Sequence, residues 1–239
     1  MWLKENILDL LFPIECLGCG KEKVWLCEDC LANIPININF KCPVCQSYTK
    51  VGEVCPACQG KINLDGIFIA SSYDNQLLRQ AIHRFKYNYV TDLAIPLSAI
   101  LARFLSKIKK SGLYIVPNIL INYQASLIIP VPLHKKRIRS RGFNQADLLA
   151  DKVATCLEFK KANILSRRYQ TQPQVNLKRR SRLENLKGVF VCSDREIVKD
   201  KKIILIDDVA TTGATLEEGA RVLKQAGARE VWGLVLARG

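Results

Sequence analysis

No apolar run in this 239-residue sequence reaches the roughly 18 residues that a membrane helix needs. Residues 1–12 carry Glu5 and Asp9 among their apolar side chains and are cut off at Pro13. They lack the clean apolar stretch and small-residue cleavage site of a secretory signal. They read instead as a short amphipathic helix, and the expectation is a cytoplasmic protein with no stable membrane insertion. No Gly-Lys-Ser or Gly-Lys-Thr is present, which disfavours a nucleotide triphosphatase. Acids are scarce as well: 22 Asp and Glu stand against 36 Lys and Arg, for a net charge of +14. Such an excess favours anionic partners: nucleic acid, acidic lipid or phosphorylated small molecules.

The basic residues cluster. His134, Lys135, Lys136, Arg137, Arg139 and Arg141 fall within one short stretch, and Arg167, Arg168, Lys178, Arg179, Arg180 and Arg182 within another. Clustering of this kind marks particular anion sites rather than a generally soluble surface.

Cysteine, by contrast, is abundant at one end. Eight of the ten fall before residue 60 as four Cys-x-x-Cys pairs: Cys16/Cys19, Cys27/Cys30, Cys42/Cys45 and Cys55/Cys58. Each pair points two thiolates at one ion, and two pairs complete the tetrahedral set that zinc prefers. A disulfide framework does not suit a reducing compartment, and iron–sulfur clusters usually use other spacings. Sequential pairing gives one site from Cys16, Cys19, Cys27 and Cys30 and another from Cys42, Cys45, Cys55 and Cys58. Interleaved pairing is the alternative; the short gaps favour the sequential one. A module of residues 1–61 is too small to bury enough apolar surface alone, so two structural zinc ions are expected to fix its fold. It could serve only as a cap, or present Lys21, Lys23, Lys41 and Lys50 to a polyanion. Cys156 and Cys192 are isolated.

From about residue 62 to 239 the pattern changes to alternating strands and helices. Strands are predicted at 67–70, 127–131, 202–206 and 231–237, and helices at 75–87, 93–108, 144–157 and 216–226. The expected fold is α/β, a parallel sheet flanked by helices on both faces. Ligands on such sheets sit beyond the C-terminal strand ends. There, strand 202–206 runs into Asp207 and Asp208, then into the loop Val209, Ala210, Thr211, Thr212, Gly213, Ala214 and Thr215. The loop's backbone N–H groups, its threonine hydroxyls and the following helix N-terminus form a nest for a phosphate dianion. Gly213 permits close approach of a ligand. The vicinal acids can accept hydrogen bonds from a ribose diol or face a metal ion. Phe85, Lys86, Tyr87 and Tyr89 could be packing residues or surfaces on which bases stack.

Four apolar residues, two acids and a Thr-Thr-Gly-x-Thr loop resemble the phosphoribosyl-pyrophosphate (PRPP) motif of type I phosphoribosyltransferases. Pro130-Val131-Pro132-Leu133-His134, Arg141-Gly142-Phe143-Asn144-Gln145, His83-Arg84-Phe85-Lys86-Tyr87, Thr171-Gln172-Pro173-Gln174, Arg182-Leu183-Glu184-Asn185 and the four cysteine pairs resemble the ComF family. The resemblance runs from Cys16 to Arg238. It implies that Asp207 and Asp208 contact the ribose hydroxyls of PRPP and that residues 209–215 wrap its 5′-phosphate. It further implies that Pro132, Leu133 and His134 hold pyrophosphate with Mg²⁺, helped by Lys86 and Arg141, and that residues 167–182 form a loop closing over the substrate. It links the chain to natural transformation, with single-stranded DNA and other DNA-uptake proteins as partners. The acceptor of a phosphoribosyl group is not named. Trp2 follows Met1, so the cysteine nucleophile of a glutamine amidotransferase is absent. A PRPP-binding regulator or scaffold without turnover is the alternative to an enzyme.

Overall fold

A computed structural model describes residues 13–110, 126–169 and 188–239. The central sheet has five parallel strands: β1 (Gly66–Ser72), β2 (Ser126–Pro130), β3 (Lys160–Lys161), β6 (Lys202–Ala210) and β7 (Glu230–Arg238). Their spatial order is β1-β7-β6-β2-β3, and two further strands, β4 (Leu165–Arg167) and β5 (Phe190–Cys192), form a separate antiparallel pair. Among the described residues the α-helices are α1 (Glu28–Ala32), α2 (Gln76–Tyr87), α3 (Ala94–Lys110), α4 (Lys135–Arg141), α5 (Gln145–Leu157) and α6 (Ala214–Gln225).

Strand alternation divides the sheet residues between two cores. Phe68, Ile128, Ile204, Ile206, Trp232 and Leu234 pack with the buried faces of α2, α3 and α5. Ile67, Leu127, Ile129, Ile203, Leu205 and Val235 pack with α6 and with Leu165 and Phe190 of the antiparallel pair. Because both faces are covered, the strands read as continuous apolar runs rather than as alternating ones. The helix boundaries follow their caps: Asn75 accepts a hydrogen bond from the Leu78 N–H at 2.9 Å, and Asn144 from the Ala146 N–H at 3.2 Å.

Three sequence expectations need correction. The strand expected to end at Ile206 continues to Ala210, because β7 supplies partners as far as Ala210↔Arg238. Its other neighbour β2 stops at Pro130↔Ile206. The basic stretch after Pro132, for which no helix is predicted from the sequence, forms a loop only over residues 131–134 before α4 begins. The helix expected from 216 starts at Ala214. The N-terminal helix expected at 1–12 lies outside the described residues, as does most of the closing loop expected at 167–182.

The cysteine-rich segment covers the free edge of β1. The Ile67 N–H donates to Gly52 O at 2.9 Å, the Val54 N–H to Asp65 O at 2.8 Å, and the Asn37 N–H to Ala70 O at 2.9 Å. The Arg103 guanidinium of α3 donates to the carbonyls of Leu31, Ala32 and Ile34, three acceptors at the end of α1. An edge that would otherwise present unpaired backbone groups is thereby closed.

Candidate functional site

The step between β2 and β6 makes the site. Beyond Ile206 the strand has a sheet neighbour only on its β7 side, so Asp207 and Asp208 stand at an open rim. Alternation sends them to opposite faces. Asp208 turns toward α2, is almost fully buried, and pairs with the Lys86 ammonium at 2.7 Å. The Val209 N–H also donates to Asp208 Oδ1, at 2.6 Å. Burial alone would lower the Lys86 pKa, but the charges of Asp208 and Asp207 outweigh it and raise it. Lys86 thus remains a cation, and the pair is a fixed element of the rim.

Asp207 lies on the other side, partly exposed, and lines a small cavity. Its carboxyl is pushed up from 3.8 to about 7, by burial first and by the Asp208 charge second. The cavity has a volume of about 50 Å³ and is walled by Asp207, residues 209–215 and Leu216. Ala210 and Ala214 are buried in the core, and Thr211, Thr212 and Thr215 line the cavity beside them. The Thr212 hydroxyl accepts from the Ala214 N–H at 3.3 Å. Gly213 caps α6 at φ +78°. A Cβ there would meet no protein atom within 4 Å, so it is the left-handed backbone that selects glycine.

Residues 131–134 leave β2 beside this rim, held by the Val131 N–H donating to Ile206 O at 2.9 Å and by the Asn144 amide donating to Val131 O at 3.0 Å. Pro132, Leu133 and His134 are all partly exposed. His134 caps α4, its Nδ1 accepting from the Lys136 N–H at 3.2 Å. Its pKa is lowered by burial and by the charges of Arg167, Lys136, Arg137 and Lys135, so the ring is neutral and surrounded by cations. Arg141, at the far end of α4, donates to Gln145 Oε1 at 2.6 Å and lies 5.6 Å over the Tyr87 ring.

In the cysteine-rich segment the eight cysteines form two clusters, Cys16/Cys19/Cys27/Cys30 and Cys42/Cys45/Cys55/Cys58, with all four Sγ atoms of each within 4.8 Å. This is the sequential pairing. The Cys27 N–H donates to the Cys16 thiol at 3.3 Å and the Cys55 N–H to the Cys42 thiol at 3.5 Å. Against the raising effect of burial, backbone N–H groups of Cys27, Gly18 and Cys19 bring Cys16 down to about 6. The Ser47 hydroxyl and N–H do the same for Cys45. Cys30, crowded by Cys27, and Cys58, buried beside Cys55, are pushed up to about 12. Thiols so close cannot all ionise without a cation among them, and a tetrahedral thiolate set fits structural zinc. A Cβ on Gly18 would lie 2.6 Å from Cys30 Sγ, so this turn needs a residue without a side chain.

A phosphoribosyl transferase domain model matches residues 138–239, and a double zinc ribbon domain model matches residues 7–59. The chain is 31% identical over 226 residues to Competence protein F of Haemophilus influenzae, a match covering 88% of this chain and 96% of that one. The chain belongs to the ComF family. Competence protein ComFC of Bacillus subtilis is 29% identical over 213 residues, covering 86% of this ComF-family chain and 80% of its own length. The DNA utilization protein YhgH of Escherichia coli K12 is 31% identical over 159 residues, 65% of each chain.

Two residues of this ComF-family rim take places that the sequence did not assign to them. Arg167, expected to open a closing loop, is on β4 and lies over the Phe190 ring at 5.9 Å. Burial and the charge of Arg137 lower its pKa, while Asp207 acts in the opposite sense, so it lies within the field of both. Gln145 is almost fully buried beneath Arg141. The basic clusters flagged Arg137 and Arg167; nothing local flagged their convergence.

Proposed function

We propose that this ComF-family protein binds PRPP at the β6 rim, as a phosphoribosyltransferase-type protein that assists the handling of single-stranded DNA in natural transformation. The observation that carries the reading is the cavity closed by residues 209–215 with Asp207 in its wall. A 5′-phosphate in that nest receives loop N–H groups, hydroxyls and the positive end of α6. The ribose diol then falls beside Asp207, which accepts its hydrogen bonds, while Asp208 holds Lys86 toward the same rim. The relatives' names, competence proteins and a DNA utilization protein, support the biological setting.

In a transfer reaction the bond from C1′ to the pyrophosphate oxygen breaks and its electron pair leaves with pyrophosphate. An acceptor's lone pair forms the new bond to C1′, and the acceptor releases its proton. Cations beside the leaving group stabilise the charge that grows there. Arg137 and Arg167, whose charges both act on the neutral His134, together with Lys86, fit that task. Among the described residues the only groups of three or more metal-ligating side chains are the two cysteine sets. Mg²⁺ would therefore be held largely by the pyrophosphate oxygens, in keeping with its habit of binding through few protein ligands. It would neutralise charge on the departing group.

The test is calorimetry with PRPP and Mg²⁺ on wild type and on Asp207→Asn, followed by assay of pyrophosphate release with a panel of nitrogen acceptors. Binding by wild type and markedly weaker binding by the variant are expected; equal heats from both would remove the site assignment. A PRPP-binding regulator without turnover is the second reading, favoured by the commitment of Asp208 to an internal ion pair. Binding without pyrophosphate release would select it.

A further inference from the structure

Beside the PRPP rim, the ends of α2 and α4 meet in a group of aromatic and cationic side chains that the phosphate site does not use. Phe85 points inward and is fully buried, whereas Tyr87 and Tyr89, next along the chain, are 58% and 54% exposed. The Arg141 guanidinium lies 5.6 Å over the Tyr87 ring, and the His83 ring stands 4.8 Å from it. Arg141 is not free to wander: the buried Gln145 amide oxygen accepts its Nη1 hydrogen bond at 2.6 Å. A buried amide spent on orienting a surface guanidinium over an exposed ring is an arrangement set up in advance of a ligand. Behind Arg141, α4 exposes Lys135, Lys136 and Arg139 and the apolar Ile138.

We propose that Tyr87 and Arg141 form a stacking platform for the bases of single-stranded nucleic acid, whose phosphates run along the cations of α4. Aromatic faces and planar guanidinium groups stack on bases of any sequence, and a line of cations follows the backbone. The openness of the platform and the cations continuing away from it fit a strand rather than a lone nucleotide. Arg141, expected from the sequence to contact pyrophosphate, is thereby given a different ligand. The proposal rests on the DNA-handling part of the reading above, but not on PRPP binding.

Fluorescence anisotropy with a labelled oligothymidylate across a salt series tests it. Tyr87→Ala is expected to weaken binding about tenfold with an unchanged salt slope, since a stacking face is lost and no charge is. Tyr87→Phe should bind as wild type does, and Arg141→Lys should weaken binding although the charge is kept. Arg139→Gln should instead make the salt slope shallower by about 0.7, one phosphate contact on a single strand. Tyr48, another exposed tyrosine under a cation, with Lys41 at 5.3 Å, supplies the control. Loss of binding in Tyr48→Ala with none in Tyr87→Ala would overturn the proposal, as would equal affinity for thymidine monophosphate and the strand. Asp207→Asn should bind the strand normally; strand binding that vanished together with PRPP binding would also overturn the platform. A wild type that takes up the strand through Tyr87 but gives no heat with PRPP would end the PRPP reading and leave the platform standing.

Discussion

In each cysteine cluster four thiols stand within 4.8 Å of one another, and at the β6 rim two carboxylates are adjacent on one strand. Both regions crowd groups that lose protons, and both depend on a cation, but of different kinds. Thiolates gathered from turns and short helices suit a metal, because no side chain can sit among four sulfurs. The carboxylates, turned apart by strand alternation, take a lysine on one face only. Asp208 is matched by Lys86, and the Asp207 carboxyl is pushed up to about 7. The first arrangement is complete without substrate; the second is left unfinished on its ligand side.

The largest effect should come from metal removal, and it should differ between the ribbons. Cys16 and Cys27 belong to the same core as Phe68 and Trp232, whereas Cys42 and Cys58 pack with Val54 in a small core of their own. Structural zinc contributes on the order of 10 kcal/mol, comparable with the whole stability of a domain. Cys27→Ser is therefore expected to melt the sheet with the ribbon, and Cys58→Ser to halve the zinc content while the far-ultraviolet dichroism of the sheet survives. Identical melting of the two variants would erase the distinction.

Next in size is the rim pair. Asp208→Ala strands the Lys86 charge in a mostly buried place and should cost about 3 kcal/mol in urea unfolding, the low end for such pairs because Lys86 keeps some solvent. The double variant Lys86→Met with Asp208→Leu should recover most of that stability while PRPP binding stays absent. Failure to recover it would mean that the pair is structural rather than functional. Arg103→Met, which removes the hydrogen bonds from α3 to the carbonyls of Leu31, Ala32 and Ile34, should cost about 2 kcal/mol. A shift near zero would show that the first ribbon is held by packing alone.

Taken over a single pH unit, the smallest effect is that of pH. The raised pKa of Asp207 makes the ligand-free fold hold its proton more tightly than the unfolded chain does. Its stability contribution is thus fully present below about pH 4 and is lost as pH rises through about 7. A diol that needs the carboxylate reverses this preference. PRPP affinity should fall by up to about tenfold per pH unit below 7, and this dependence should vanish in Asp207→Asn, which leaves only the ligand's own titration. A profile shared by both proteins would count against Asp207 as the diol acceptor.

The sequence by itself determined the alternating strands and helices, the metal-binding type of the cysteine pairs and the position of the threonine- and glycine-containing loop before α6. These depend on local chemistry: runs of Ile and Leu, Cys-x-x-Cys spacing, and a glycine at a helix start. It could not show that β6 runs on past Ile206, because that depends on β7 outlasting β2 by four register positions. From this extension follows the separation of Asp207 from Asp208, which adjacency in sequence had suggested would act together. Nor could spacing place Lys86, 122 positions earlier, against Asp208, or bring Arg167 under the influence of Arg137 and Asp207. Those meetings cost chain entropy and are decided only when both cores close around the sheet. Local chemistry chose the groups, and the packing of the two sheet faces decided which of them share a charge, a proton or a ligand.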